Sequence, residues 1–350
     1  MQPLPPFSIP RLLLLTAAAI LSHAAFGQTA TTRPVGFVSV QLDANKKAAI
    51  SIPLEQAPVF TGTVTGVSAT QITDSSASFG SFAGSCYCQM ITGNASGRNF
   101  WISSNTATVL ELRTGGGSFL LPVDSSSSNT ANVAVGDRYR IVPMFTLAGL
   151  FGSSSADCVL KSGRNPNVAD VISVYADGTL SGYYNNGTNW KNAGNAGDSA
   201  NYNTVGIIPT SGIWVTRLAG GAATTLDFIG SVPDVPPRIQ VPGGVKVARS
   251  LPAPEGTTLG LLGFANISTW TKSNNPGNAD QVAVYRPDNT LGGFFLNSAG
   301  VWKNAGNAGD STDYTNVLIP PGSGLWISRK GSSTGASTLA QTALTYNLNN

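Results

Sequence analysis

Along most of the chain, apolar residues come in short alternating or β-branched runs. Such runs cover Val35–Leu42, Phe60–Val67, Asn99–Ser103, Thr106–Arg113, Arg138–Met144, Val171–Tyr175, Gly212–Leu218, Val282–Tyr285 and Gly324–Arg329. Gly, Asn, Asp, Ser and Pro break them at short intervals, the punctuation of strands joined by tight turns. Beyond the N-terminus, no stretch places apolar residues at the spacing of a helix face. The pattern predicts an all-β, multi-domain fold of sandwich-like or barrel-like modules, with little helix.

The chain also repeats itself. Trp190–Ser199 recurs unchanged as Trp302–Ser311, 112 residues later. The match continues through Tyr202/Tyr314, Val205/Val317, Ile207/Ile319, Pro209/Pro321, Gly212/Gly324, Trp214/Trp326 and Arg217/Arg329. Upstream, Asn165, Ala169, Asp170 and Tyr175 answer to Asn275, Ala279, Asp280 and Tyr285 at an offset of 110. The difference places a two-residue insertion near Asn297–Gly300, at a hairpin tip that tolerates it. A repeat of this period marks an internal duplication of a β module. The expected layout is a signal peptide over 1–27, an N-terminal β domain over 28–142 and a first module copy over 143–227. A Pro-rich linker over 228–252 and a second copy over 253–350 complete it. Ser125–Asn129 reads as a loop.

The N-terminus changes the chemistry that remains. Met1–Arg11 carries one positive charge, Leu12–Leu21 is an apolar run, and Ser22–Gly27 is built of small residues ahead of a cleavage point at Gln28. That is the three-part layout of a secretory signal, and its apolar run is about half of the ~20 residues that cross a bilayer. An exported product is expected, in the periplasm or at the cell surface, with no membrane span after cleavage. The only histidine, His23, leaves with the signal, and loss of Arg11 leaves 19 basic against 17 acidic side chains. Charged residues are only 11% of the chain, against about 25% in an average domain. So weak a field, without clustered Lys and Arg, argues against nucleic acid as a partner. Apolar residues at 41% are enough for real cores.

A resemblance rests on a series of short motifs. These are Gly36-Phe-Val-Ser-Val, Gly97-Arg-Asn-Phe-Trp-Ile-Ser-Ser-Asn-Thr-Ala-Thr, Val135-Gly-Asp and Thr146-Leu-Ala-Gly-Leu-Phe-Gly152, followed by Tyr183-Tyr-x5-Trp190 and Pro209-x2-Gly212. The series resembles a family of exported, β-rich bacterial proteins with duplicated Trp/Gly-containing modules. The likeness implies a secreted β-protein and carries over no catalytic residue. The chain departs from the family in its three cysteines.

The sharpest chemical feature is the duplicated loop. Trp190, Lys191, Asn192, Asn195, Asp198 and Tyr202 in one copy, and Trp302, Lys303, Asn304, Asn307, Asp310 and Tyr314 in the other, form a candidate ligand site. Aromatic rings with amide and carboxylate groups could stack on a sugar and bond its hydroxyls. The competing expectation is that the tryptophans anchor cores, while Gly194, Gly197, Gly306 and Gly309 supply positive φ in a tight turn. The Asn and Asp oxygens could also hold calcium, but one carboxylate per loop compensates a divalent ion poorly. Asn side chains capping their own turns explain the spacing better. No other cofactor is expected.

Catalytic constellations are thin. Asp198-Ser199 has no histidine to take a proton from the serine. A polysaccharide hydrolase using paired Asp carboxylates stays open, although the three glutamates, Glu55, Glu111 and Glu255, lie outside the duplicated loop. In an oxidising compartment, Cys158 is expected to pair with Cys86 or Cys88, and a three-thiolate metal site would lack a fourth ligand. The expectation is a non-enzymatic surface or matrix protein, binding carbohydrate or other envelope proteins. Its rivals are the hydrolase and a self-associating structural envelope component.

Overall fold

The computed structural model of the chain describes residues 33–113, 133–176, 179–241, 244, 246–286, 290–330, 338–341, 343–346 and 348. The expected signal peptide with His23, the expected cleavage point at Gln28 and the expected Ser125–Asn129 loop lie outside these residues. The chain divides into Met1–Pro34 and Val35–Asn350, and the described strands belong to the second unit. It is nearly all β, and no helix among the described residues is long and apolar enough to cross a membrane.

Two strands open it: β1 (Val35–Leu42) and β2 (Lys47–Ile50). Seven follow as a separate sheet: β3 (Phe60–Thr63), β4 (Gly66–Val67), β5 (Gln71–Thr73), β6 (Cys86–Met90), β7 (Asn99–Asn105), β8 (Val109–Arg113) and β9 (Arg138–Pro143). Then come β10 (Phe145–Thr146), the short helix α1 (Leu147–Phe151), β11 (Val171–Ala176), β12 (Thr179–Asn185), β13 (Trp190–Asn192), β14 (Gly206–Ile207), β15 (Gly212–Thr216) and β16 (Thr224–Ser231). The last group is β17 (Arg238–Val241), β18 (Lys246–Arg249), β19 (Thr257–Thr258), β20 (Gln281–Tyr285), β21 (Leu291–Leu296), β22 (Trp302–Asn304), β23 (Leu318–Ile319), β24 (Gly324–Ser328) and β25 (Thr338–Gln341).

Strand order reveals how the copies are built. One five-stranded sheet runs β13-β12-β11-β15-β2 and the other β22-β21-β20-β24-β18. The ribbon β1-β16 matches β17-β25, and β10-β14 matches β19-β23. The first copy therefore begins at β1 and is interrupted after β2 by the seven-stranded insert. Arg238–Val241 and Lys246–Arg249, inside the stretch expected to be a linker, are the first two strands of the second copy. The sequence boundaries shift because β2 and β18 share only a Lys and an alanine in register, too little to show as a repeat. The extra residues also divide. Tyr175 pairs with Leu180 and Tyr285 with Leu291; Asn185 pairs with Trp190 and Leu296 with Trp302. One residue is added in each of two hairpin turns, rather than two near Asn297–Gly300.

The insert sheet runs β3-β9-β6-β7-β8-β5-β4. Its end strands β3 and β4 are separated by two residues, so the sheet curls back on itself. Its interior gathers Val64, Ile72, Cys88, Met90, Phe100, Leu110, Tyr139 and Ile141. Each copy has its own core, one around Ile52, Phe151, Trp190, Ile213 and Phe228 and the other around Ile239, Phe264, Trp302 and Leu325.

Candidate functional site

The duplicated loops are built to hold themselves. Trp190 is 0% exposed and Trp302 1%, so neither ring can present a face to a sugar. The Trp190 indole N–H donates to the Gly152 carbonyl at 2.7 Å, and its ring meets Phe151 edge-on. Gly152 sits at φ 87°, and a Cβ there would fall 2.3 Å from the Asp157 carbonyl, so only glycine lets the chain turn and offer that acceptor. Trp302 is seated against Phe264.

The polar groups close inward as well. Asn192 accepts the Gly194 N–H and Asn304 the Gly306 N–H, each at 2.8 Å. Lys191 donates to the Ser199 and Ala200 carbonyls, and Lys303 to those of Ser311 and Thr312. Tyr202 donates to Asp198 and Tyr314 to Asp310, while each carboxylate also accepts a backbone N–H two residues on. The Thr312 hydroxyl also donates to Asp310 at 2.6 Å, and this bond first, then those from Tyr314 and the Thr312 N–H, brings the Asp310 carboxyl down to about 2; the Tyr202 hydroxyl likewise heads the causes that lower Asp198. Asn195 and Asn307 stay exposed at the tips. Among the described residues, no group of three His, Cys, Asp or Glu could hold a metal ion. None of Gly194, Gly197, Gly306 and Gly309 adopts positive φ, contrary to expectation. The loop turns on Asx hydrogen bonds instead, which need no left-handed residue.

The cysteine expectation also fails. All three are free thiols. Cys86 and Cys88 point into the insert interior, whereas Cys158 packs on the core of the first copy. Burial pushes all three thiols up in pKa.

Several of the described carboxylates are engaged in structure. In each copy a buried Arg–Asp pair ties the ribbon to the sheet. Asp170 accepts from Arg217 at 2.8 Å and from the N–H groups of Lys161 and Leu218; Asp280 accepts from Arg329 at 3.1 Å and from those of Thr271 and Lys330. Arg217 reaches on to the Leu42 carbonyl and Arg329 to that of Val241. Glu55 and Asp234 both bind Arg140, at 2.8 and 2.6 Å, with Gln89 completing the set. That arrangement holds the insert to the first copy, with a cation where a glycosidase would need its substrate. Glu111 bonds Gln71 on the insert surface, and Glu255 is exposed on the second copy.

A set of half-exposed aromatic rings lies where the copies meet. Gly212 and Gly324 bring the sheets together: a Cβ on either would fall 2.4 Å from the carbonyl carbon of Ala248 or Ala49. Beside this approach, the rings of Trp214 and Trp326 lie 5.9 Å apart, and Trp214 meets Tyr285 edge-on at 5.0 Å. The Arg249 guanidinium covers the Tyr175 ring at 5.2 Å. Leu180 and Leu291, paired across strands with the two tyrosines, extend the strip at both ends. Next to it, Gly182 and Ala193, and Gly293 and Ala305, leave low, partly exposed sheet surface. Of the two readings of the repeated tryptophans, core anchoring holds for Trp190 and Trp302, whereas Trp214 and Trp326, for which the same role was expected, stay half-exposed. Both positions are Gly-x-Trp in a β-branched run, a pattern that does not say which sheet face meets a second sheet. No known protein family, curated protein or solved structure matches this chain.

Proposed function

We propose that the protein is an exported, non-enzymatic surface or matrix component that binds carbohydrate along the aromatic strip between its two copies. The observation that carries this reading is the half-exposed set Tyr175, Trp214, Trp326 and Tyr285, bordered by glycine and alanine. Flat rings beside low surface suit the apolar faces of sugar rings, which can approach without side chains in the way. The signal-like N-terminus and the motifs resembling exported β-proteins support a site outside the cytoplasm. The engagement of the carboxylates in internal ion pairs and loop bonds supports binding over hydrolysis.

The test is a glycan and cell-wall pull-down with the chain starting at Gln28, comparing wild type with Tyr175→Ala/Tyr285→Ala. Loss of binding with the melting temperature held supports the proposal. A folded double variant that binds every glycan as wild type does would overturn it.

A further inference from the structure

The outer edge of β16 begins a strand pairing that the chain abandons. Ser231 exchanges both backbone bonds with Glu55, N–H to carbonyl in each direction. In an antiparallel strand the bonding direction alternates residue by residue. Ser231 bonds away from β1, so Ile229 and Asp227 also turn their N–H and C=O groups away from β1. A strand continuing from Glu55 would meet them, but the chain departs at Gln56 toward β3. In its place lies a cavity of about 270 Å3 lined by Gln56, Met144, Phe145, Leu150, Phe228 and Ile229, with Gly149 on its wall.

The second copy shows how this edge is otherwise satisfied. Leu42 and Val241 hold equivalent positions, since each accepts the corresponding buried arginine. Counting from their partners Thr224 and Thr338 makes Ala343 the counterpart of Ile229. In α1, Ala148 donates to Asn203 as Gly260 does to Thr315, which makes Leu261 the counterpart of Gly149. The Ala343 N–H donates to the Leu261 carbonyl at 3.1 Å. In the first copy the cavity stands between the equivalent residues. The cavity is open and mixed in character, with Gln56, Thr146 and Asp227 beside its apolar side chains, and Ile229 and its cross-strand neighbour Phe37 are each 63% exposed.

We propose that this groove takes an extended peptide segment of a partner protein, added as a strand to the edge of β16. The segment supplies the carbonyl and N–H groups that Ile229 and Asp227 face, and seats one large apolar side chain in the cavity. Main-chain bonds give such an addition its affinity, and the pocket gives it selectivity. The site is separate from the aromatic strip and stands or falls without it.

The test is selection of a phage-displayed random peptide library on the full chain from Gln28, counter-selected on Ile229→Lys. Because Ile229 is exposed, the variant should fold, which its melting temperature checks, and a charge at a strand edge opposes strand addition. Selected peptides should carry a large apolar residue among β-branched ones and slow hydrogen exchange at the Asp227 and Ile229 amides. They should bind Ile229→Lys at least about tenfold more weakly. N-methylation of the peptide amide facing β16 should abolish binding, while methylation of the next amide should not. Failure to recover peptides that distinguish the two proteins, or binding that leaves both amides unprotected, overturns the proposal.

Discussion

The hydroxyls of Ser51 and Ser250 lie 2.8 Å apart, each the residue that follows the second strand of its copy. Ser250 accepts the Ile52 N–H while Ser51 accepts that of Leu251. The bridges Ile50–Ser323 and Arg249–Ser211 repeat the same reciprocity. The copies therefore meet as two subunits of a two-fold dimer would, with equivalent residues contacting each other across the axis.

The glycines at this axis should be irreplaceable where the loop glycines are not. Gly212→Val drives a branched side chain into the backbone at Ala248 and should abolish cooperative folding. Gly197→Ala meets only an ordinary contact with Asn195, and should be neutral or stabilising by up to ~1 kcal/mol. Denaturant titration of both variants checks the contrast.

Truncating either loop tryptophan should destabilise rather than merely weaken binding. Trp190→Ala or Trp302→Ala removes a fully buried ring, at a cost of about 3–5 kcal/mol. Urea midpoints shifted by less would contradict the packing described.

The Tyr314–Asp310 bond should resist acid. Its carboxyl lies at about 2 against an ordinary 3.8, first through the Thr312 hydroxyl and then through Tyr314. A depressed folded pKa gives stabilisation that is present above the unfolded value and lost as pH falls from about 4 through 2. Carbon NMR titration of the Asp310 side chain should find its midpoint there, and a midpoint near 4 would contradict the bonding.

Thiol counting separates the structure from the expected disulfide. Denatured chain should label at all three cysteines. Native chain should label first at Cys158, the one that is not fully buried, while Cys86 and Cys88 stay protected inside the insert.

Strands were legible wherever an alternating run survived, as in Val35–Leu42 and Val171–Tyr175. Cys86–Met90 was not, because all five residues are buried, Cys86, Cys88 and Met90 in the insert interior, Tyr87 against Val142, Met144 and Ile208, and Gln89 bonded to Glu55. The interruption of the first copy was hidden for a different reason: pairing between Ile50 and Ile213 crosses an entire inserted sheet, and local pattern carries no trace of it. The loop was conspicuous because its sequence is identical in both copies. Identity there reflects a web of internal bonds, whereas the exposed aromatics fall within strand patterns that look like any core.

The position of the insert sets an order of assembly. As the chain is synthesised, β1 and β2 emerge first but find β16 and β15 only after the insert is complete. In the second copy the same pairings, such as Arg249 with Leu325, close over a much shorter span. The added loop entropy is small, about 0.6 kcal/mol for each doubling of length, so the consequence is kinetic. The insert should form its own sheet while the first two strands wait, and its folded ends, Val59 bonded to Ile141, should then return the chain to where β2 left it. Pulse-labelled hydrogen exchange during refolding should protect the amides of Tyr87 and Gln89 before those of Ile213 and Val215.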